Sequence, residues 1–229
     1  MQIGGLQKLT LLDFPERVAC TIFTNGCNFR CPYCHNAELL HIANPSLIST
    51  TDVMDFLKTR QGLLDGVCIT GGEPLLQPDI VECIEEIKAL GFAVKLDTNG
   101  SFPEKLAALL ESGQLDYVAM DIKNTPERYA ETIGLPNAPV AAVRQSVEVL
   151  RASAVPHEFR TTVVREYHTE DDMRAIGRWL HGTPRYYLQR FEAGPHVLRQ
   201  GLSAPSAGEM RCFLAIVQAD IPAAALRGV

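Results

Sequence analysis

The sequence contains no long apolar run. No stretch approaches the roughly 18 consecutive apolar residues that a membrane-spanning helix requires. The first ten residues, MQIGGLQKLT, lack the basic region and apolar core of a secretory signal. We therefore expect a cytoplasmic protein with no membrane partner.

Positive charge is also scarce. The chain has 21 lysines and arginines against 27 aspartates and glutamates, and its formal net charge is −6. This balance argues against electrostatic binding of nucleic acid or anionic lipid. The sequence has no low-complexity linker and no internal repeat, and 46% of its residues are hydrophobic, so it predicts one globular domain over residues 1–229.

Runs of β-branched and aromatic residues alternate with segments of helical period about six times. This alternation predicts an α/β fold on a parallel sheet. A closed barrel of eight βα units typically needs about 250 residues. We therefore expect an open partial (β/α)6 barrel, with a doubly wound sheet as the alternative. The predicted strands are 18–24, 66–70, 92–97, 115–120, 158–164 and 185–191, and the clearest predicted helices are 79–90, 139–152, 169–181 and 206–218, the last with Ser206 as its N-cap.

Polar and glycine-rich segments follow four of these strands: TNGC, GGEP, DTNG and DIK. In parallel α/β folds, ligands bind at the carboxyl ends of the strands. Loops in any α/β protein are often polar, but four such segments led by a cysteine loop predict one extended site on one rim.

Cysteines are concentrated in one stretch. Three of the seven fall within eight residues, as Cys27, Cys31 and Cys34, with the spacing C-x3-C-x2-C. An odd count in a reducing compartment argues against a disulfide framework. The others lie in apolar runs and are expected to be small buried residues: Cys20, Cys68, Cys83 and Cys212.

The three-cysteine stretch fits four chemistries. CPYC fits a thiol redox pair and CPYCH fits c-type haem attachment, but both leave Cys27 without a role. Zinc would take three thiolates plus His35 or Cys20, although no second C-x2-C exists. A [4Fe–4S] cluster normally takes four thiolates. Three in one loop would leave one iron open to another ligand, as in catalytic metal sites.

These motifs carry a resemblance. C-x3-C-x2-C with Tyr33 before the last cysteine resembles the signature of the radical S-adenosylmethionine (SAM) enzymes. GGEP at 71–74 is similar to their glycine-rich SAM motif, and with LDTNG and MDIK the set resembles the activating enzymes of glycyl-radical enzymes. Residues 4–36 look most like the activating proteins of anaerobic ribonucleoside-triphosphate reductase.

The resemblance implies ligand roles for the cysteines and glycines. Cys27, Cys31 and Cys34 would hold a [4Fe–4S] cluster, and SAM would chelate its fourth iron. Gly71 and Gly72, which lack a Cβ, would let the backbone approach the methionine part of SAM.

Three further side chains have an implied role and an ordinary alternative. Glu73 would meet the SAM ammonium or stay a carboxylate at the rim. Tyr33 and His35 would lie against the adenine. The alternatives are that Tyr33 only packs and that His35 only caps the loop.

Charged residues end two neighbouring predicted strands. Asp121 and Lys123 lie on one face of an extended chain, and Lys123 would suit the carboxylate of SAM. The related pyruvate formate-lyase activating enzymes place a monovalent cation between equivalents of Asp97 and Asp121, so the resemblance implies such an ion here. The alternative is an ordinary Lys–Asp ion pair. Those relatives also have a SAM-contacting histidine where this chain has Phe191.

We therefore expect an iron–sulfur oxidoreductase of anaerobic metabolism. It would cleave SAM to a 5′-deoxyadenosyl radical and form a glycyl radical on a large partner enzyme, above all anaerobic ribonucleotide reductase, with an electron donor such as flavodoxin. An open barrel suits a macromolecular substrate. The alternatives are a radical SAM enzyme acting on another glycyl-radical enzyme or a small molecule, and a non-catalytic iron–sulfur or zinc protein. Arg160 and Arg190 are candidate inward charges.

Overall fold

The computed structural model describes residues 1–41 and 48–228. The chain forms two compact units. The first comprises Met1–Asn28, Glu38–Ala119 and Ala141–Pro156, and the second comprises Phe29–Ala37, Met120–Val140 and His157–Val229. Compact units need not fold independently, so the expectation of one domain over residues 1–229 stays a prediction.

The first unit alternates strands and helices. Its elements in chain order are β1 (Ile3–Thr10), β2 (Ala19–Thr24), α1 (Thr50–Lys58), β3 (Gly66–Gly71), α2 (Ile80–Ala89), β4 (Ala93–Thr98), α3 (Pro103–Glu111) and the start of β5 (Tyr117–Asp121). Strands β2, β3 and β4 pair in parallel, whereas β1 pairs antiparallel to β2. In this register Thr24 lies opposite Gly71, so the polar segments that follow β2 and β3 are neighbours.

The second unit repeats the pattern. It contains the end of β5, α4 (Tyr129–Ile133), β6 (His157–Val163), α6 (Glu170–Trp179), β7 (Tyr186–Arg190), α7 (Ala207–Gln218) and β8 (Ala225–Arg227), while α5 (Val140–Ala152) leads back into the first unit. Strands β6, β7 and β8 pair in parallel. Arg227 of β8 is tied to the buried carboxylate of Glu158 by two hydrogen bonds of 2.7 and 3.1 Å.

Helix starts follow local sequence signals. Ser49, Thr169 and Ser206 each accept a hydrogen bond from the backbone amide three residues on, and the carboxylate of that residue, Asp52, Asp172 or Glu209, accepts one from the backbone amide of the cap. Such capping boxes satisfy amide groups that the first helical turn leaves without partners. The predicted N-cap at Ser206 is confirmed.

Four buried side chains form an apolar cluster, the apolar floor, at the amino-terminal ends of β2 to β4 on one face of the sheet. It consists of Phe14, Ala19, Ala93 and Tyr117, with the two aromatic rings 6.3 Å apart. Gly66 lies opposite both alanines, and a Cβ there would come within 2.8 Å of the Phe14 ring. The small residues therefore make room for the aromatic side chain.

A polar layer follows two residues further along the same strands. Thr21, Cys68 and Lys95 are cross-strand neighbours, and all three are buried. The Thr21 hydroxyl donates to the Asp13 carboxylate at 2.6 Å. This face of the sheet therefore changes from apolar to polar towards the carboxyl ends of its strands.

Most predicted elements are confirmed. The six predicted strands correspond to β2 to β7 and the four predicted helices to α2, α5, α6 and α7. The prediction missed β1, which is half-exposed and carries two glycines, and it missed the short helices α1, α3 and α4. The tail noted as a short strand forms β8 at 225–227, and Val229 lies outside the described residues.

One cysteine prediction is wrong. Cys20, Cys68 and Cys83 are buried as expected, but Cys212 is exposed. The buried positions of α7 are Met210, Phe213 and Val217, and position 212 lies off that stripe. Burial raises the pKa of the Cys20 thiol to about 12, and that of Cys83 also to about 12. Both therefore remain neutral thiols.

The helices of the described ranges are all too short or too polar to span a lipid bilayer.

Removal of the Phe14 ring tests the apolar floor. Phe14→Ala should lower the free energy of unfolding by about 3–5 kcal/mol, because the surrounding strands cannot close the cavity. Leu12→Ala is the matched control, since that side chain is 89% exposed and its loss should cost no more than about 0.5 kcal/mol. Urea unfolding of the apoprotein measures both, and equal effects would contradict the floor assignment.

Candidate active site

The segment after β3 is hydrogen-bonded to the start of the cysteine loop. The Gly72 amide donates to the Thr24 carbonyl at 2.9 Å, and the Glu73 amide donates to the Gly26 carbonyl at 2.8 Å. The Cys27 amide donates to the Leu40 carbonyl at 3.2 Å. The backbone that presents Cys27 is therefore fixed by its neighbours within the first unit.

Gly71 and Gly72 are required by this close backbone approach. Gly71 has φ +112°, and a Cβ there would lie 2.3 Å from the Thr24 nitrogen. A Cβ at Gly72 would lie 2.0 Å from the Gly26 oxygen. Contacts this short do not occur, so the two glycines serve the protein's own packing whether or not SAM also approaches them.

Glu73 is buried rather than exposed at a rim. One carboxylate oxygen accepts from the Thr98 hydroxyl at 2.8 Å and the Leu75 amide at 3.1 Å, and the other accepts from the Asn99 amide at 2.7 Å. Glu73 therefore joins the end of β4 to the end of β3. Its burial corrects the interpretation as a rim carboxylate, and a contact with the SAM ammonium stays a prediction.

Asn99 extends this network to the cysteine loop. Its side-chain amide lies 3.9 Å from the Cys27 sulfur and donates to Asn28 at 2.9 Å. Ser101 donates to the Asn99 side-chain oxygen at 2.6 Å and accepts from Asn28 at 2.8 Å. The amide therefore has a fixed orientation and faces the thiol. Sequence reasoning placed Asn99 in a polar loop but gave it no role.

Asp97 is paired with a lysine that the sequence analysis overlooked. The Lys95 ammonium, 2% exposed, contacts the Asp97 carboxylate and lies 3.7 Å from the Cys68 sulfur. The signal was present in the sequence, because residues two apart on a strand share a face.

In the second unit, the other two cysteines lie in a tight turn. The Cys34 amide donates to the Cys31 carbonyl at 3.0 Å. Two backbone amides that follow β7 hold the turn. The Leu198 amide donates to the Cys34 carbonyl at 3.1 Å, and the Arg199 amide donates to the Pro32 carbonyl at 2.8 Å. Burial raises the pKa of the Cys34 thiol.

Tyr33 lies within this turn and is buried. Its ring packs on Tyr167 with centroids 5.9 Å apart. Its hydroxyl has no hydrogen-bond partner among the residues that the structure describes. Burial raises the pKa of Tyr33 well above its usual value, and the charge of Cys31 adds to this. An orphaned hydroxyl is unusual in a packed interior and leaves a donor free for a ligand.

His35 is attached to the end of β7. Its ring stacks on Phe191 at 5.3 Å with an interplanar angle of 13°, and its Nε2 hydrogen-bonds the Glu192 carbonyl at 2.7 Å. These contacts support the interpretation that His35 holds the loop. Phe191 is fully buried beneath it. A role of His35 beside adenine stays a prediction.

Asp121, Lys123 and Arg160 form a charged triad. The Asp121 carboxylate accepts from Lys123 at 2.9 Å and from Arg160 at 3.0 Å. Burial acts to raise the pKa of Asp121, but Arg160 and Lys123 outweigh it and hold that pKa below its usual range. Burial acts to lower the pKa of Lys123, but Asp121 keeps it well above the usual value. The structure thus contains the Lys123–Asp121 ion pair that is the alternative named from the sequence, and a role of these residues beside SAM stays a prediction.

His168 contacts the backbone of Lys123, one member of this triad. Its Nε2 lies 2.9 Å from the Lys123 carbonyl, and the Val164 amide donates to its Nδ1 at 3.1 Å. A neutral ring with its proton on Nε2 satisfies both contacts. Burial lowers the pKa of His168. Only the fold reveals this role, since a lone histidine between two elements has no sequence signature. Arg190 instead donates to the Pro205 carbonyl at 2.7 Å.

Comparison with known proteins defines the class. Residues 21–180 match the radical SAM superfamily, and the chain therefore belongs to that superfamily. Over 196 residues it is 32% identical to a Methanocaldococcus jannaschii protein named as a candidate glycyl-radical enzyme activating enzyme, and the match covers 83% of this chain and 80% of that one. Within the superfamily, the chain belongs to the glycyl-radical enzyme activating enzymes.

Two further comparisons bear on the family and on the fold. The chain is 34% identical over 152 residues to the pyruvate formate-lyase-activating enzyme of Listeria monocytogenes, covering 61% of this chain and 60% of that one. It resembles the structure of Streptococcus suis SuiB bound to S-adenosylmethionine with a TM-score of 0.68 at 14% identity, over 90% of this chain and 49% of that one. The structural likeness confirms the predicted α/β fold class.

The cofactors of this family are a [4Fe–4S] cluster and SAM. Among residues 1–41 and 48–228, no three His, Cys, Asp or Glu side chains form a group that could hold a metal ion as they stand. The assignment of Cys27, Cys31 and Cys34 as ligands therefore stays a prediction. Their chemistry fits the cluster, because thiolates are its usual ligands and both halves of the loop are anchored through the backbone.

Replacement of Glu73 tests whether its carboxylate joins the ends of β3 and β4. Glu73→Gln replaces one accepting oxygen with a donor that faces another donor, and should lower the free energy of unfolding by about 1.5–3 kcal/mol. Glu104→Gln is the control, since Glu104 is exposed on α3 of the same unit. If urea unfolding gave the same stability for the two variants, the hydrogen bonds of the Glu73 carboxylate would not stabilise the ends of β3 and β4.

The lowered pKa of His168 predicts a pH dependence of stability. The unfolded side chain titrates near 6.5, whereas the folded one stays neutral to lower pH. Stability from this group is fully present above about pH 6.5 and is lost as the pH falls towards the folded pKa, by up to about 1.4 kcal/mol per pH unit.

The measurement is urea unfolding from pH 7.5 to 5. His168→Gln should reduce the slope of stability against pH by up to one proton, whereas replacement of the exposed, non-titrating Leu12 by Ala should leave it unchanged. An identical slope in wild type and His168→Gln would show that the ring is not held neutral.

Proposed function

We propose that this enzyme reductively cleaves SAM and generates a glycyl radical on anaerobic ribonucleotide reductase. The observation that carries the proposal is the cysteine loop of residues 27–34, with GGEP, LDTNG and MDIK, in a chain of the glycyl-radical enzyme activating family. When bound, the reduced cluster supplies the electron that cleaves SAM to methionine and a 5′-deoxyadenosyl radical.

The protein's own contribution is positioning and charge. Cys27, Cys31 and Cys34 would hold three irons. The Lys123 ammonium, held by Asp121, suits the carboxylate of SAM. The orphaned Tyr33 hydroxyl would donate to the bound ligand.

The choice of ribonucleotide reductase rests on residues 4–36, which resemble activators of that enzyme. Pyruvate formate-lyase is the second candidate partner, because several relatives bear the name of its activating enzyme. A flavodoxin is the proposed electron donor. In either case hydrogen moves from a glycine Cα to the 5′-carbon of deoxyadenosine, so one 5′-deoxyadenosine forms for each glycyl radical.

Anaerobic activation assays test this function. The reconstituted, reduced enzyme should convert SAM to 5′-deoxyadenosine and produce a glycyl-radical EPR signal on the anaerobic ribonucleotide reductase of the same organism. Cys31→Ala should abolish both products, whereas Cys212→Ala should retain them because that thiol is exposed on α7. A signal on pyruvate formate-lyase alone would reassign the partner. Bound zinc without iron, and no 5′-deoxyadenosine, would refute the function.

A further inference from the structure

Lys95 is a charged side chain in the interior of the first unit. It lies in the middle of β4 and is 2% exposed. Lysine is almost never buried to this extent without a partner, because transfer of an ammonium out of water is unfavourable. Its position therefore requires a fixed negative partner.

The partner is Asp97, two residues further along β4. Side chains two apart on a strand share a face, and the Lys95 ammonium contacts the Asp97 carboxylate. Cys68, opposite Lys95 on β3, places its sulfur 3.7 Å from the same nitrogen. Carboxylate and thiol thus both face the ammonium.

The layers around Lys95 fix its direction. Ala93, the preceding residue on this face, belongs to the apolar floor with Phe14 and Tyr117. Asp97 is the next residue on the same face, towards the carboxyl end of β4. The lysine side chain therefore runs from an apolar layer to a carboxylate.

This arrangement disagrees with the cation implied by the family resemblance. A monovalent ion at the two aspartates is needed where their negative charges lack compensation. Here Lys95 compensates Asp97, and within the second unit Lys123 and Arg160 compensate Asp121 at 2.9 and 3.0 Å. An added K⁺ at Asp97 would be repelled by the Lys95 ammonium, which is 2% exposed and contacts the same carboxylate.

We propose that the Lys95 ammonium takes the place of a monovalent metal cation at Asp97, so that SAM binding and cleavage by this enzyme require no added Na⁺ or K⁺. The inference rests on the proposed SAM-cleaving function. It makes Lys95 a positioning residue, which acts on the site through Asp97.

The first test compares buffers for the holoenzyme. SAM affinity and 5′-deoxyadenosine formation are measured in tetramethylammonium buffer and again after addition of K⁺, with photoreduced deazaflavin as reductant, because sodium dithionite would supply Na⁺. Both quantities should agree within about twofold in the two buffers. A gain of more than about tenfold on adding K⁺ would overturn the inference.

The second test removes the built-in charge. Lys95→Met leaves Asp97 without its ammonium, so SAM affinity in tetramethylammonium buffer should fall by more than about tenfold and should recover on addition of K⁺ or NH₄⁺. Lys88→Met is the matched control, because Lys88 pairs with Asp116 in the same unit at 2.8 Å but is partly exposed. It should remain independent of K⁺. A Lys95→Met enzyme that binds SAM normally without K⁺ would overturn the inference.

A third measurement does not depend on turnover. The melting temperature of the apoprotein should not respond to K⁺ in wild type and should rise with K⁺ in Lys95→Met, since an ion that binds only the folded state stabilises it. If Lys95→Met does not fold, Lys95→Met combined with Asp97→Asn removes both charges and should show no response to K⁺. A wild-type protein stabilised by K⁺ but not by tetramethylammonium, with that response lost in Asp97→Asn, would overturn the inference.

These outcomes separate the two proposals. Absence of 5′-deoxyadenosine in every buffer would refute the proposed function, while the melting experiment would still decide the role of Lys95. Formation of 5′-deoxyadenosine only with K⁺ would leave the function intact and refute the role of Lys95.

Discussion

Glu73 joins the ends of three parallel strands in the first unit, through its buried carboxylate and its own backbone amide. Its side chain accepts hydrogen bonds from Thr98 and Asn99 after β4, and its own amide donates to Gly26 after β2. Asn99 then faces the sulfur of Cys27. A charge buried in this way is stable only with several donors, and the same donors fix the start of the cysteine loop. The placement of Cys27, one of the candidate ligands, therefore depends on Glu73.

In the second unit, one carboxylate is paired with two cationic side chains. Lys123 and Arg160 both donate to Asp121, while His168 stays neutral and holds the Lys123 carbonyl. The backbone of Lys123 is held by a hydrogen bond to His168. In the proposed function, an ammonium held in this way would meet the carboxylate of SAM with little reorganisation.

Much of this was predictable from the sequence. Hydrophobic periodicity, which is a local property, predicts the strands and the main helices. It also places the segments GGEP, LDTNG and MDIK at the ends of strands. What failed depends on neighbours distant in sequence. The burial of Glu73 cannot be predicted locally, because its hydrogen-bond donors come from another strand end. The apolar run around Cys212 predicts burial, but the helical phase of that residue places it in solvent. The pairing of Lys95 with Asp97 needed only strand alternation, but the motif drew attention to the aspartate alone.

The central claim is that residues 27–34 supply three thiolates to a cluster and leave one iron to SAM. The most direct measurement is iron analysis with EPR of the reduced protein before and after SAM is added. The account predicts about four irons per chain and a spectrum that changes when SAM binds. A protein that holds zinc, or a cluster whose spectrum is the same with and without SAM, would contradict it.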